Sequence, residues 1–425
     1  MKKISVILTN RNTRDYLELA IQSIYANNQD LIESGGEVIV LDDNSNDGSK
    51  EILEELESQL KNFYWVSHDN SDRLGLMILN EAGIFFSDNE LIFLGHSDMV
   101  YAKCCFKNLE KYIEKGKVIC STRIEPPIYQ DESIRYQREF GKTPEEFKEK
   151  EFNEEVERLK TDKLTDGVFA PILMYKEDFC GYDKNFLPQS REDSTLFYQM
   201  AKKGIKFLQS WSSIVYHFSG KGSRKKDSLE DSEEWRKTNY KNTKNFIRLF
   251  GELPNHLDKQ PNIDEKIKLT LCVATHNDEN RIYSFIERME PWFDEIIILD
   301  DSKDNTVKII HKFIEKEKTM SKLFEENKII FIREIKFNND YSELRNTMQK
   351  FATKEWCLHA DPDEEFSVDL LNSLRFLIKT QGNQKEVFGF ARANYLNGVL
   401  VNDIPRQYWN EKTLKGIKEN AENRR

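Results

Sequence analysis

Two stretches of this sequence carry the same features in the same order, and that repeat limits the fold more than anything else in it. "ISVILTNRN", an apolar run entering a polar loop that ends at Asn12, returns as "LTLCVATHND", which reaches Asn277. "EVIVLDDNSNDGS" returns as "EIIILDDSKDNT". "RLGLMILNEAG", around Asn80, is echoed by "YSELRNTMQKFA", around Asn346. "NELIFLGHSDMV", which carries Asp98, is echoed by "EWCLHADPDEEF", which carries Asp363. The offset is roughly 265 residues at both ends.

Within each copy, short continuous apolar runs such as Ile4–Leu8 and Val38–Leu41 alternate with segments of helical periodicity such as "RDYLELAIQSIYAN" and "SKEILEELESQL". Runs of the first kind suit strands buried on both faces of a parallel sheet, and the alternation predicts βαβ units. The expected fold is α/β, with two tandem Rossmann-like domains and mainly parallel central sheets. The first domain is placed at 1–225, a helical segment and linker at 226–266, and the second domain at 267–425. An acidic-basic insertion, "TPEEFKEKEFNEEVERLK", reads as a surface helix.

The chain has 425 residues, enough for two or three cores, and a formal net charge of -11. That charge argues against general nucleic-acid binding, which draws its affinity from Lys and Arg on phosphates. The longest apolar runs fall far short of the roughly 20 residues that span a bilayer, which leaves room only for peripheral membrane contact. The apolar run at the N-terminus is too short for a signal peptide. Six scattered cysteines without C-x-x-C spacing argue against zinc and for a reducing, cytoplasmic setting.

From Asp43, the first acidic turn has the spacing of a calcium loop: Asp43, Ser45 and Asp47, then Gly48, then Glu54. Such a loop needs a helix before it, and "GGEVIVLD" is a strand. The second copy keeps the strand and the acidic turn but breaks the calcium spacing. The turn is better read as the carboxyl end of a parallel strand, where α/β sheets bind ligands.

"ISVILTNRN", "VLDDNSNDGS" and "FLGHSDMV" together resemble the nucleotide-sugar-dependent glycosyltransferases of family 2, which have the GT-A fold. The resemblance covers most of the chain, twice. It implies a nucleotide-diphosphate sugar as donor and Mn2+ or Mg2+ to neutralise the leaving diphosphate. The acceptor hydroxyl would belong to a glycan, a lipid-linked or a protein acceptor, in glycan or polysaccharide synthesis. By resemblance, His96-Ser97-Asp98 stands where the family carries Asp-x-Asp. Asp98 would be a metal ligand, and His96 would meet the ribose or the metal. Glu192-Asp193 resembles the family's Glu-Asp pair, with Asp193 as the base. His217 would be a further metal ligand, and the loop with Lys221 would close on phosphate. Asp43 would accept from the nucleobase, with Thr9 and Asn12 ordering the loop beside it. Asn80 stands in the family's Arg-Asn pair. A carboxylate at a helix N-terminus is expected to stay ionised.

In the second copy Asp361-Pro362-Asp363 restores the full metal motif, and Arg345-Asn346 restores the pair. The turn is one residue short, which leaves the nucleobase contact open between Asp300 and Asp301, with Asn277 beside them. Counterparts of Asp193 and His217 would fall beyond Arg425, so the second copy is expected to be incomplete. Two other functions fit the same turns: a sugar-binding scaffold built from decayed transferase domains, and a nucleotidyltransferase. The second calls for a Gly-rich loop after the first strand, and "TNRNTRDYL" is not Gly-rich.

Overall fold

The computed structural model describes residues 1–70, 72–127, 134–167, 169–218, 233–254, 261, 264–320, 328–333, 337–384, 387–390, 393–396 and 399–403. Two compact units divide the chain, 1–365 and 366–425.

The first unit holds two sheets. Ten strands form the larger: β1 (Ile4–Asn10), β2 (Glu37–Asp42), β3 (Phe63–Ser67), β4 (Leu91–His96), β5 (Met99–Tyr101), β6 (Lys117–Glu125), β7 (Arg135–Gln137), β8 (Leu164–Asp166), β9 (Ile172–Tyr175) and β10 (Lys206–His217). Its order is β3-β2-β1-β4-β9-β6-β10-β5, with β7 beside β6 and β8 beside β10. The four strands from β3 to β4 are parallel. β9 runs antiparallel between β4 and β6, and β10 returns parallel to β6.

The helices of this half are α1 (Arg14–Asn27), α2 (Gln29–Glu33), α3 (Ser49–Gln59), α4 (Leu76–Phe86), α5 (Cys105–Glu110), α6 (Glu149–Leu159), α7 (Glu192–Lys202) and α8 (Glu233–Phe250). β1 and β2 are buried along almost their whole length, as continuous apolar runs require. One face packs on α1 and α5 through Leu17, Ile21, Val38, Val40 and Phe106. The other packs on α4 and α7 through Ile7, Ile39, Met77, Ile92, Leu94 and Leu196. The predicted insertion helix is α6, and it buries Phe152 and Val156 against Phe140 and Tyr216.

The smaller sheet has strands β11 (Leu269–Thr275), β12 (Glu295–Asp300), β13 (Lys328–Arg333) and β14 (Trp356–Ala360), with helices α9 (Ile282–Met289), α10 (Thr306–Met320) and α11 (Tyr341–Phe351). All its pairs are parallel, in the order β13-β12-β11-β14. This is the β3-β2-β1-β4 order again. The repeat extends to single hydrogen bonds. Glu37, buried at the start of β2, accepts from Ser5 Oγ and the Asp88 amide; Glu295 accepts from Thr270 Oγ1 and the Thr353 amide. α8 fastens the two halves: Arg248 Nε and Nη2 donate to the Glu290 carboxylate at 2.8 and 2.5 Å, fully inside the protein.

The second unit contains α12 (Val368–Gln381), capped by Ser367, and an antiparallel pair, β15 (Ala393–Leu396) with β16 (Val399–Asp403). No helix among the described residues is long and apolar enough to cross a membrane.

Candidate active site

Strand ends assemble the first cluster. His96 closes β4, Asp98 follows two residues later, and His217 closes β10, which reaches them because His217 pairs antiparallel with Met99. His96 Nδ1 lies 4.0 Å from Asp98 Oδ1, and His217 Nε2 lies 3.5 Å from Asp98 Oδ2. The three ligand atoms lie within 4.8 Å of one another. One carboxylate and two imidazoles at this spacing fit a divalent cation.

Behind His217 stands Glu125, at the end of β6 and fully buried. His217 Nδ1 lies 2.6 Å from Glu125 Oε1, so Nε2 is the nitrogen turned toward Asp98. A carboxylate holding the far ring nitrogen fixes tautomer and orientation, as in many metal-bound histidines. Arg135 Nη1 also donates to Glu125, at 2.5 Å, and Arg123 Nη1 lies 3.6 Å away. Burial works to raise the Glu125 carboxyl, but His217 and the two guanidiniums outweigh it and hold it at about 2. Burial likewise opposes ionisation of Asp98, yet His217, His96 and Arg123 hold it well below the usual carboxylate range. Burial lowers His96 to about 4, against the pull of Asp98, so its ring is neutral and offers a lone pair. On His217 burial is overcome by Asp98 and Glu125, and the imidazole is raised.

The second element is the acidic turn. Asp42 shapes it, accepting from Asn10 Nδ2 (2.7 Å), the Ser45 amide (2.9 Å) and Ser67 Oγ (3.0 Å). Asn12, at φ 52°, accepts from the Asn46 amide and donates its own amide to Ser45 Oγ. Thr9 lies beside His96 in the β1–β4 register. Asp43 is buried and clasped by the loop before α4. It accepts from the Leu74 and Gly75 amides at 2.9 and 3.2 Å and contacts His68 Nε2 at 2.9 Å. Arg73 and Arg11 stand at 3.5 and 3.7 Å.

The third element is the turn before α7. Ser190 and Arg191 both have positive φ, 83° and 65°, an uncommon pair for residues with side chains. Asn242 of α8 braces that turn. Its amide donates to the carbonyls of Phe186, Gln189 and Ser190 at 2.8, 3.0 and 3.0 Å. The turn opens α7 with Glu192 and Asp193 in its first helical turn. The helix N-terminus does not settle their charge. Burial, reinforced by Asp193, pushes Glu192 up to about 8, and burial raises Asp193 against the pull of Arg123. Withdrawal from water outweighs the helix end here, so the expected stabilisation of the ionised form is reversed.

These elements converge. Arg73, beside Asp43, donates to Gln189 in the turn before α7. Gly75, at φ 83°, lies so close to the Pro188 carbonyl that a Cβ would meet it at 2.5 Å. Asn80 is buried and donates to the Tyr182 hydroxyl at 3.1 Å, and that phenol is raised by burial and by Asp193. Arg123 acts electrostatically on Asp98, His96, His217 and Asp193 alike. It also rests on the Phe169 ring at 4.8 Å.

Residues 5–180 and 270–420 match the family model for glycosyl transferase family 2, well over half of the chain. The chain belongs to that family. No curated protein matches it. Similar solved structures include GalNAc-T7 with UDP, GalNAc and Mn2+, at TM-score 0.41 and 15% identity, covering 58% of this chain and 48% of that one. S. aureus TarS follows at TM-score 0.40 and 12% identity, covering 58% and 39%. Mannosyltransferase PcManGT from Pyrobaculum calidifontis, in complex with GDP-Man and Mn2+, gives TM-score 0.39 and 14% identity, covering 58% and 63%. The chain thus spans about half or less of the first two.

The second half of this family 2 chain keeps the turn but changes its outlook. Asp300 accepts from Thr275 Oγ1 at 2.6 Å and from the Ser302 amide at 3.0 Å, which is the work of Asp42. Asp301 is therefore the counterpart of Asp43. Its side chain is 43% exposed, against 2% for Asp43. Asn277 repeats Asn12, giving its amide to Ser302 Oγ and accepting from the Lys303 amide. Tyr341 stands 265 residues after Leu76, and Trp356 the same distance after Leu91. By this register Arg345 matches Asn80 and Asn346 matches Glu81, one position away from the match read in the sequence. Arg345 is exposed on α11 where Asn80 is buried. Asp361 and Asp363 follow β14, both exposed, and no third metal-ligating side chain among the described residues joins them. Lys221 lies outside the described residues.

Sequence reasoning missed Glu125, Arg123, Arg73, His68 and Asn242. Glu125, Arg123 and Asn242 reach the site by strand pairing or helix packing across long separations, and His68 and Arg73 through the loop between β3 and α4.

Proposed function

We propose that this chain is a metal-dependent glycosyltransferase that moves a sugar, with inversion, from a nucleotide-diphosphate sugar to an acceptor hydroxyl, and that the first half is the catalyst. The observation that carries this reading is the meeting of two sites across Arg123: the His96–Asp98–His217 cluster and the raised carboxyl of Asp193. His96, Asp98 and His217 would hold Mn2+ or Mg2+. When bound, the cation supplies the positive charge that neutralises the departing diphosphate.

The chain's own residues do the rest. Asp43, with Arg11, Arg73 and His68, forms a polar pocket for the nucleobase, whose imide takes one of the carboxylate's acceptor positions. The acceptor oxygen bonds to the anomeric carbon as the bond to the diphosphate breaks, its electron pair leaving with the phosphate. Asp193 takes the hydroxyl proton. Its raised carboxyl is a stronger proton acceptor than an ordinary aspartate, which favours general-base catalysis near neutral pH. Arg123 and Tyr182 set the field around it. The second half, with exposed Asp361 and Asp363, binds donor or acceptor without turning it over. The work is placed in the cytoplasm, in glycan or polysaccharide synthesis, on a glycan, lipid-linked or protein acceptor.

A thermal-shift screen of nucleotide sugars with and without Mn2+ tests this reading, since a ligand specific for the native state stabilises it in proportion to its affinity. One nucleotide sugar should raise Tm only when Mn2+ is present. The absence of any Mn2+-dependent shift over the common donors would overturn the reading. The anomeric configuration of the product, read by NMR, tests inversion.

A further inference from the structure

The repeat supplies an internal control for a second cluster. In the first half, Ile7, Ile92 and Leu94 share one face of the sheet and lie fully in the core under α4. In β11 and β14 the register repeats: Leu94 pairs with Ile7, and His359 pairs with Cys272. Ser5 pairs with Ile92, and Thr270 with Cys357. The three aliphatic positions have thus become Cys272, Cys357 and His359. Their ligand atoms lie within 4.8 Å of one another.

Two further observations distinguish this cluster from an ordinary core. His359 Nδ1 is buried with no oxygen or nitrogen partner, while Nε2 lies 3.3 Å from Gln349 Nε2 on α11, and the Cys357 thiol is the neighbouring polar group. A buried ring nitrogen without such a partner is costly to hold unless something binds it. Of the described members of the apolar cluster here, Cys272, Ile297, Leu299 and Met348 are buried, while Ala274, Leu344, Ala352 and Cys357 are only partly so.

We propose that Cys272, Cys357 and His359 form a zinc site in the second half, separate from the His96–Asp98–His217 cluster. Two thiolates and an imidazole are a soft-to-borderline donor set that selects Zn2+ over Mn2+ or Mg2+. A tetrahedral site with Zn–S bonds of about 2.3 Å and Zn–N bonds of about 2.0 Å separates its ligand atoms by roughly 3.5–4 Å, and three protein ligands leave one position for water. Binding releases the thiol protons to solvent and ties β11 to β14.

The test is Co2+ and Zn2+ binding to the full chain, reduced and freed of metal. Thiolate ligation gives Co2+ a near-ultraviolet charge-transfer band that a His/Asp site cannot give. The wild type should bind one Co2+ with that band, displaced by one equivalent of Zn2+. Cys272→Ser, Cys357→Ser and the Cys272→Ile/Cys357→Ile/His359→Leu variant, which restores the first-half residues, should each lose it. Far-ultraviolet circular dichroism checks that each variant is folded, and Asp98→Ala should keep the band. A reduced wild type with no charge-transfer band overturns the proposal, as does a band that survives in the triple variant. So does a disulfide between Cys272 and Cys357 that persists under reducing conditions. All of these outcomes are independent of donor turnover.

Discussion

Replacing Glu125 by Gln probes the site through a residue that would touch neither metal nor sugar. Gln keeps the volume and one acceptor oxygen but removes the charge. His217 then loses the carboxylate at 2.6 Å that fixes its ring, and Arg123 and Arg135 lose their shared counter-charge. Loss of such an outer partner of a metal-binding histidine lowers metal affinity about 10- to 100-fold, or roughly 1.4–2.8 kcal/mol at 1.4 kcal/mol per tenfold. Removing one partner of a buried ion pair costs about 3–5 kcal/mol of stability. The lower end applies here, because the two guanidiniums keep 13–15% exposure. Urea unfolding without metal measures the stability term. Calorimetric titration with Mn2+ at a temperature where both proteins are folded measures the affinity term. An unchanged Mn2+ affinity in folded Glu125→Gln would refute the assignment of His217 as a ligand oriented by Glu125.

Three further perturbations follow from the same geometry. Glu192 is pushed up to about 8 from the usual 4.5 or so, so the folded chain holds its proton more tightly than the unfolded chain does. Its contribution to stability is therefore full below about 4.5 and is lost as pH rises through about 8; Glu192→Gln should flatten the fall of Tm over that window, and an unchanged slope counts against it. Asn242→Ala removes the amide whose two protons are shared among three carbonyls of the turn before α7, at about 2 kcal/mol in all, and should lower kcat more than it raises KM; a pure KM effect would mean that the turn serves binding alone. Arg248→Met leaves Glu290 buried and unpaired and should cost about 3–5 kcal/mol in urea unfolding, whereas Arg248→Met with Glu290→Leu should recover most of it; equal losses in both variants would refute a charge-pair origin.

The parallel β3-β2-β1-β4 run and its copy in the smaller sheet were legible because their strands are short continuous apolar runs, and because the chain writes them twice in one order. The places of Asp98 and His217 at strand ends and of Asp193 at a helix start were legible from the apolar runs and the helical periodicity around them. Two things were not. The charge state of Asp193 depends on withdrawal from water and on Arg123, brought in from β6, which no local pattern records. The register of α11 against α4 is set by the helix starts and the Glu37 and Glu295 hydrogen bonds, so a match by residue identity at Asn346 slipped by one. The approach of Cys272 to Cys357 also lies outside what cysteine spacing records. Cys272 and Cys357 are brought together by the pairing of β11 with β14, which no spacing rule sees.

The most direct test of the account is turnover of the donor found in the thermal-shift screen, with Mn2+, by wild type, Asp98→Ala, Asp193→Ala and Asp363→Ala. Catalysis by the first half predicts that the first two substitutions abolish turnover while Asp363→Ala retains most of it. Full turnover in Asp98→Ala and Asp193→Ala, with loss in Asp363→Ala, would contradict it.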